Sequence, residues 1–335
     1  MHTFVSQDDK YLSAQGLITS VVELAQSRDI NLHKLLRGTG IFEQDLLNFQ
    51  HAFSVSQQVR LLAQFKLLMK STDSGFLLGS QLINDTRAEA QALIYSDNLA
   101  QVLKQLSLLR MQLAPLLFSQ TYIKNDNVYI YIQPAHGLDE SLYHYVLEIY
   151  STAFYSLLKR VSESYLHCQF DFAFKRPRHI QEYEQNLGLK VSFDKPCTRW
   201  VLNKAMLRAK NPHASQLRFM QAQAQSQLHN KNVVSMTFIE AVCRYLYSHP
   251  SANLECTAKH FAMSSATFKR RLKLNGVRFS ALIDEQNKHK AIYLLTLCAK
   301  HNEQVAEHLA FYDIPNFRRA FKRWTGLTPN QLKTQ

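Results

Sequence analysis

Apolar residues recur at helical spacing through the first third of the chain. Leu17, Val21, Val22, Leu24 and Ala25 begin one stripe. Val59, Leu62, Ala63, Phe65 and Met69 form a second with Lys66 at its edge, and "NLAQVLKQLSLL" (Asn98–Leu109) keeps the period. This predicts helices over residues 17–118. The texture then changes. "TYIKNDNVYIYIQP" (Thr121–Pro134) alternates apolar and polar residues around Asn125-Asp126-Asn127, which predicts a hairpin. Leu142, Val146, Ile149, Ala153, Leu157 and Val161 then mark one face of a long helix. Strand-like pieces follow at Cys168–Phe174, Leu189–Phe193 and Thr198–Leu202. Helices around a few strands predict an α+β domain, with a small and mainly antiparallel sheet, over residues 1–212. Residues 213–232 lack Gly and Pro and read as a helical connector, and everything from Val233 onward reads as helix.

The last third repeats itself. "FAMSSATFKRRLKLNGVRFSAL" (Phe261–Leu282) matches "LAFYDIPNFRRAFKRWTGLTPNQL" (Leu309–Leu332), pairing Phe268 with Phe317, Arg270 with Arg319, Leu272 with Phe321 and Gly276 with Gly326. A short helix precedes each unit, centred on Ala258 and Ala306. Short helix, tight turn and basic amphipathic helix describe a helix-turn-helix, present here twice at about 254–274 and 303–324. Helical spacing sends Phe268 and Leu272, and likewise Phe317, Phe321 and Trp324, to a core side. Lys269, Arg270, Lys273, Arg318, Arg319, Lys322 and Arg323 are left outside. Pro315 is read as the first residue of its helix. Residues 280–297 form the helix that joins the units. The C-terminal domain, 233–335, is therefore all-α.

Charge follows the same division. Residues 231–335 hold 16 Lys and Arg against 7 Asp and Glu, whereas the first 230 hold 23 against 19. Most of the net charge of +13 thus sits on one domain, as a polyanion-binding module requires. The five cysteines are scattered, with no CxxC pair, and read as reduced thiols of a cytoplasmic protein with no metal site. The opening "MHTFVSQDDK" carries no signal-peptide pattern, and no apolar run is long enough for a membrane span.

Residues 233–335 resemble the DNA-binding domain of the AraC/XylS family of transcription regulators, through "AKHFAMSSATFKRRLK", "AIYLL" and "AEHLAFYDIPNFRRAFKRWTGLTP". The first two-thirds resemble, more weakly, the N-terminal domain of that family's ornithine-utilisation and virulence-regulator branch. The resemblance implies double-stranded DNA as partner. It places Ala266, Lys269 and Arg270 against base edges in one major groove, and Ile314, Asn316 and Arg319 in a second. Ser264, Ser265, Arg271, Lys273, Arg318, Lys322 and Arg323 are then expected on phosphate. It also implies a small-molecule effector and a homodimer, for which Leu99, Leu103 and Leu106 offer an apolar stripe. Three features depart from the family pattern. Ala262 and Ala310 stand in turns that usually carry Gly, Pro315 replaces a common Ser, and Asn287 stands where Arg is common.

The N-terminal two-thirds name no effector residues. "FKRPRH" (Phe174–His179) reads as a charged surface loop rather than an anion site. Tyr122, Tyr129, Tyr131, Tyr143, Tyr145 and Tyr150 read as packing between sheet and long helix rather than as a pocket. The histidines, among them His33, His51, His136 and His167, read mostly as surface residues. No G-x-S-x-G, P-loop or H-E-x-x-H pattern occurs, so neither an enzyme nor a cofactor is expected. Two alternatives to an effector-controlled regulator stay open. One is an effector-independent regulator whose N-terminal domain only dimerises or contacts RNA polymerase. The other is a DNA-modifying enzyme with a helix-turn-helix domain.

Overall fold

The computed structural model describes residues 4–48, 50–162, 168–229 and 236–333. In chain order the first part runs β1 (Phe4–Val5), β2 (Lys10–Leu12), α1 (Leu17–Gln26), α2 (Leu32–Leu36), α3 (Glu43–Leu47), β3 (Phe53–Ser54), α4 (Val55–Met69) and α5 (Ser74–Gln81). It continues with α6 (Ala88–Ile94), α7 (Leu99–Leu108), α8 (Arg110–Leu113), β4 (Leu117–Lys124), β5 (Asn127–Pro134) and α9 (Glu140–Val161). The domain ends with β6 (Cys168–Asp171), α10 (Ile180–Leu187), β7 (Val191–Ser192) and β8 (Arg199–Asn203).

The strands β4 to β8 form one sheet in the order β4-β5-β8-β6-β7, antiparallel except for the β6–β7 pair. The hairpin closes where Asn125 takes φ 51°, a left-handed value that Asn tolerates better than most residues. Each strand shows two different faces. Thr121 and Ser119 stand opposite Ile130 and Ile132, on the side packed by α9. Phe118, Gln120 and Tyr122 stand opposite Gln133, Tyr131 and Tyr129, on the other side. Asp139 caps α9 by accepting a hydrogen bond from the Leu142 N–H, and Trp200 of β8 stacks on Phe154 of α9 with ring centroids 4.4 Å apart. This burial holds helix and sheet together.

The second part holds α11 (Gln216–His229), β9 (Met236–Thr237), α12 (Phe238–Ser248), α13 (Leu254–His260), α14 (Ser265–Leu274) and α15 (Phe279–Ile292). A single π-turn (Tyr293–Leu297) prolongs α15, and α16 (Asn302–His308), α17 (Ile314–Thr325) and α18 (Pro329–Lys333) complete it. Residues 233–235 of the region read as helical lie outside the described residues. Just after them, Met236–Thr237 is a strand, because it pairs in parallel with Phe4–Val5. The amino-terminal strand is thereby built into the C-terminal half.

That half packs on the outer face of the sheet. Phe118 and Ala135 share a core with Phe238, Phe261 and Phe268. Tyr131 and Cys197 share another with Leu294, Leu295, Phe317 and Phe321. Polar contacts pin the same junction. The Tyr122 and Tyr247 hydroxyls lie 2.6 Å apart, the Gly137 N–H donates to the Asn275 carbonyl at 3.0 Å, and the Lys124 ammonium donates to the Thr296 carbonyl at 2.7 Å.

Candidate nucleic-acid interface and ligand cavity

Two helices present cations outward. In α14, Ser264 caps the helix by accepting from the Thr267 N–H, and Phe268 and Leu272 are buried. Ala266, Lys269, Arg270 and Lys273 are exposed, while Ser265 is half-buried at the first turn. In α17, Asp313 caps the helix through the Asn316 N–H at 2.6 Å. Pro315 is therefore its second residue and not its first, still within the turn where a missing N–H leaves no helical bond broken. Phe317, Ala320 and Phe321 are buried, and Arg318, Arg319, Lys322 and Arg323 are exposed. Asn316 and Ile314 are half-buried, and the Arg319 guanidinium donates to the Asn316 side-chain oxygen at 2.6 Å. Two of the residues expected to read bases thus orient each other.

Two cations expected on phosphate have other partners. Arg271 is half-buried, its guanidinium 4.6 Å from the Phe4 ring and 4.7 Å from the Phe238 ring, and it donates to the Ser6 hydroxyl at 2.9 Å. The reason is helical spacing: residue 271 is one turn beyond Phe268, on the flank where β1 and α12 pack. Arg323 pairs with Asp284 of α15 at 3.1 Å, and the Trp324 indole N–H donates to the same carboxylate at 2.9 Å. Asp284 ties α17 to the joining helix a turn before Asn287, which is itself buried.

The turns decide the matter of the alanines. Ala262 and Ala310 have φ 54° and 56°, in the left-handed region where a Cβ is strained. The geometry is the one glycine would give, adopted without glycine.

The N-terminal domain holds a cavity of about 570 Å³. Its inner wall is Leu103 and Leu106 of α7, Ile130 and Ile132 of β5, Tyr150, Phe154 and Leu157 of α9, and Trp200 of β8. It wraps round β4, the free edge of the sheet, and reaches Arg244 and Tyr247 of α12. At that rim Glu240, with no exposed side chain, takes Arg244 on one carboxylate oxygen and Arg110 on the other.

Three sequence expectations change here. Leu103 and Leu106 face the cavity and Leu99 is buried, so the stripe read as a dimer seam points inward. Tyr122 and Tyr150 line the cavity rather than only packing, and Tyr131 is buried towards the C-terminal half, near His289. His136 is buried at the domain junction, not on the surface, whereas His167 lies outside the described residues. Lys175, Arg176 and Arg178 of the charged loop are exposed. Sequence reasoning missed the cavity itself. Its one trace was Ser119 and Thr121, small polar residues opposite isoleucines where a packed sheet would carry larger ones. Cys168, Cys197 and Cys243 are buried, Cys256 and Cys298 are exposed, and all five are free thiols.

Comparison with known proteins finds two family matches. Residues 30–211 match the family described as the arabinose-binding domain of AraC transcription regulator, N-terminal, and residues 257–335 match a helix-turn-helix domain. The ornithine utilization regulator of Pseudomonas aeruginosa is 29% identical over 170 residues, 48% of this chain and 49% of that protein. The HTH-type transcriptional regulator VqsM of the same species is 31% identical over 81 residues, 24% of this chain and 25% of that protein. The match thus spans about half the length of the first relative and a quarter of the second. The crystal structure of transcriptional regulator CdpR from Pseudomonas aeruginosa aligns with 95% of this chain and 98% of its own, at 16% identity and a TM-score of 0.44. Since the first family match alone takes in more than half of the residues, the chain belongs to the AraC transcription regulators.

Proposed function

We propose that the chain is a cytoplasmic, sequence-specific regulator that lays α14 and α17 in successive major grooves of promoter DNA under control of a small molecule held by residues 1–212. The observation that carries the reading is the pair of amphipathic helices, each with a buried phenylalanine side and an exposed cationic side. Residues 279–297 form about 28 Å of continuous helix between the units at 1.5 Å per residue, comparable with the roughly 34 Å between grooves on one DNA face. Arg270 and Arg319 are assigned to guanine edges, Asn316 to adenine, and Ala266, Lys269 and Ile314 to neighbouring base contacts. Ser264, Ser265, Lys273, Arg318, Lys322 and Arg323 are assigned to phosphate, and Arg271 to holding β1 against α14. Residues 213–232 serve as the connector and 233–335 as the DNA-binding domain. Among the described residues no helix is long and apolar enough to cross a membrane.

Dimerisation belongs to the same proposal, on a different surface from the one the sequence suggested. Leu217, Met220 and Leu228 of α11 are 69%, 58% and 68% exposed and fall on one side of that helix. A mobility-shift titration against selected operator sequences tests the DNA reading. Arg319→Ala is expected to cost ~1–3 kcal/mol and relax choice at one position, while Lys322→Ala weakens all sequences alike. Unchanged sequence preference in Arg319→Ala would remove that residue from the base-reading set.

A further inference from the structure

We propose that the cavity receives a predominantly apolar ligand carrying one hydrogen-bond-accepting oxygen, seated by the Tyr150 hydroxyl and the Trp200 indole N–H, rather than a sugar or a free amino acid. This rests on the reading of the N-terminal domain as the effector domain and names the chemistry of what it holds. The volume of about 570 Å³ lies in the range of small-molecule sites. Its inner wall is leucine, isoleucine and aromatic carbon. Tyr150 and Trp200 both line it, both residues are about nineteen-twentieths buried, and neither the Tyr150 oxygen nor the Trp200 nitrogen has a hydrogen-bond partner. A buried polar atom without a partner is costly, and an acceptor oxygen brought within reach of either donor would relieve it. Burial also pushes the Tyr150 hydroxyl above its ordinary range, so it arrives protonated as a donor.

The charged groups of the wall are already engaged. Arg87 donates to both oxygens of Asp85 at 2.7–3.1 Å, and the Asp85 oxygens also receive the Arg87 N–H, so this pair offers no free carboxylate to an ammonium. Breaking a buried pair to admit an amino acid leaves one charge unpaired. A sugar ring would set several hydroxyls against a wall that is mostly carbon, its small polar side chains being Ser107, Ser119, Gln120 and Thr121. At the rim, two guanidiniums share the single carboxylate of Glu240, so a positive charge is left over where the cavity meets α12. The oxygen group is assigned to the interior, and a carboxylate held at this rim is the competing outcome that the test distinguishes. Both share the long apolar body. In either case the occupant touches Arg244 and Tyr247, which belong to the helix leading into the first helix-turn-helix unit.

Calorimetric titration and thermal melting of the full chain test this. The probes are methyl ketones with octyl, decyl and dodecyl tails and the carboxylates of the same tails, with L-arabinose and L-ornithine alongside. At least one tail series is expected to bind saturably and raise the melting temperature. Tyr150→Phe is expected to weaken a ketone by about five- to ten-fold, the loss of one hydrogen bond, while the unliganded variant melts no lower than the parent. The Tyr150→Phe effect supports the interior seat, whereas Arg244→Ala weakening carboxylates with Tyr150→Phe without effect would overturn that seat in favour of the rim. Saturable binding of arabinose or ornithine with none of either series overturns the proposal, as does failure of every ketone and carboxylate to bind. A ligand that binds without altering operator affinity leaves the ligand class standing and removes the effector reading instead.

Discussion

Ala262 and Ala310 sit at the sharpest turn of their units with left-handed backbones, so each carries a conformational strain that glycine would not. We expect Ala262→Gly and Ala310→Gly each to stabilise the chain by up to ~1 kcal/mol in urea unfolding, the relief of left-handed strain outweighing glycine's added freedom in the unfolded chain. No change or a loss in both would show that the turns relax elsewhere. The departure from glycine was visible in the sequence, and the sign of φ was not, because a turn's geometry depends on the helices it joins. Arg271 teaches the same lesson. Its neighbours Arg270 and Lys273 are exposed as spacing implies, but its own partners, Phe4 and Phe238, come from 267 and 33 residues away. Periodicity says which side of a helix a residue takes and cannot say what lies there.

At the scale of elements, the basic helices α14 and α17 were legible because two constraints coincide in them. Buried phenylalanines and exposed cations must alternate at helical spacing, and the pattern occurs twice. The hairpin, the long α9 and the strands of the sheet were legible for similar reasons. The pairing of Phe4–Val5 with Met236–Thr237 was not, since two-residue strands leave no periodic signal and their ladder spans most of the chain. One consequence can be measured on α17. Asp284→Ala removes the partner of both Arg323 and Trp324, so we expect a loss of about 1 kcal/mol in stability together with tighter, less selective DNA binding as Arg323 is freed. Filter binding over a salt series reads this as a steeper salt slope, and an unchanged slope would mean that Arg323 gains no phosphate contact when Asp284 is removed.

Across the whole molecule the junction between sheet and DNA-binding half is tight and specific. A side chain at Gly137 would collide with the backbone of Asn275 and Gly276. Gly137→Ala should therefore cost ~1–3 kcal/mol and hasten proteolytic cleavage in the connector, and equal cleavage rates would argue that the halves already separate freely. Acid should act at the same place. Burial, helped by the charge of Arg110, pushes the His136 imidazole down to about 4. The unfolded chain takes up that proton first, near pH 6.5, so stability is full above this value and falls as pH drops towards 4. The loss is on the order of 3 kcal/mol for this group, and His136→Leu should flatten the parent's decline in melting temperature over that window.

The two faces of β4 have a consequence for how such a molecule can change over generations. Ser119 and Thr121 line the cavity, while Phe118 and Tyr122 line it and also meet the C-terminal half, Phe118 in the core that holds α14 and Tyr122 at Tyr247. A strand reverses its face at every residue, so neighbouring codons fall under different selection. Substitutions at 119 and 121 can alter what is sensed and leave the output as it was. Substitutions at 118 and 122 change the occupant's contacts and the C-terminal half together. A new ligand preference is therefore expected from single steps at 119 and 121 that keep the DNA preference, and mutant screens sorted by ligand range against basal expression should separate these from changes at 118 and 122, which move both.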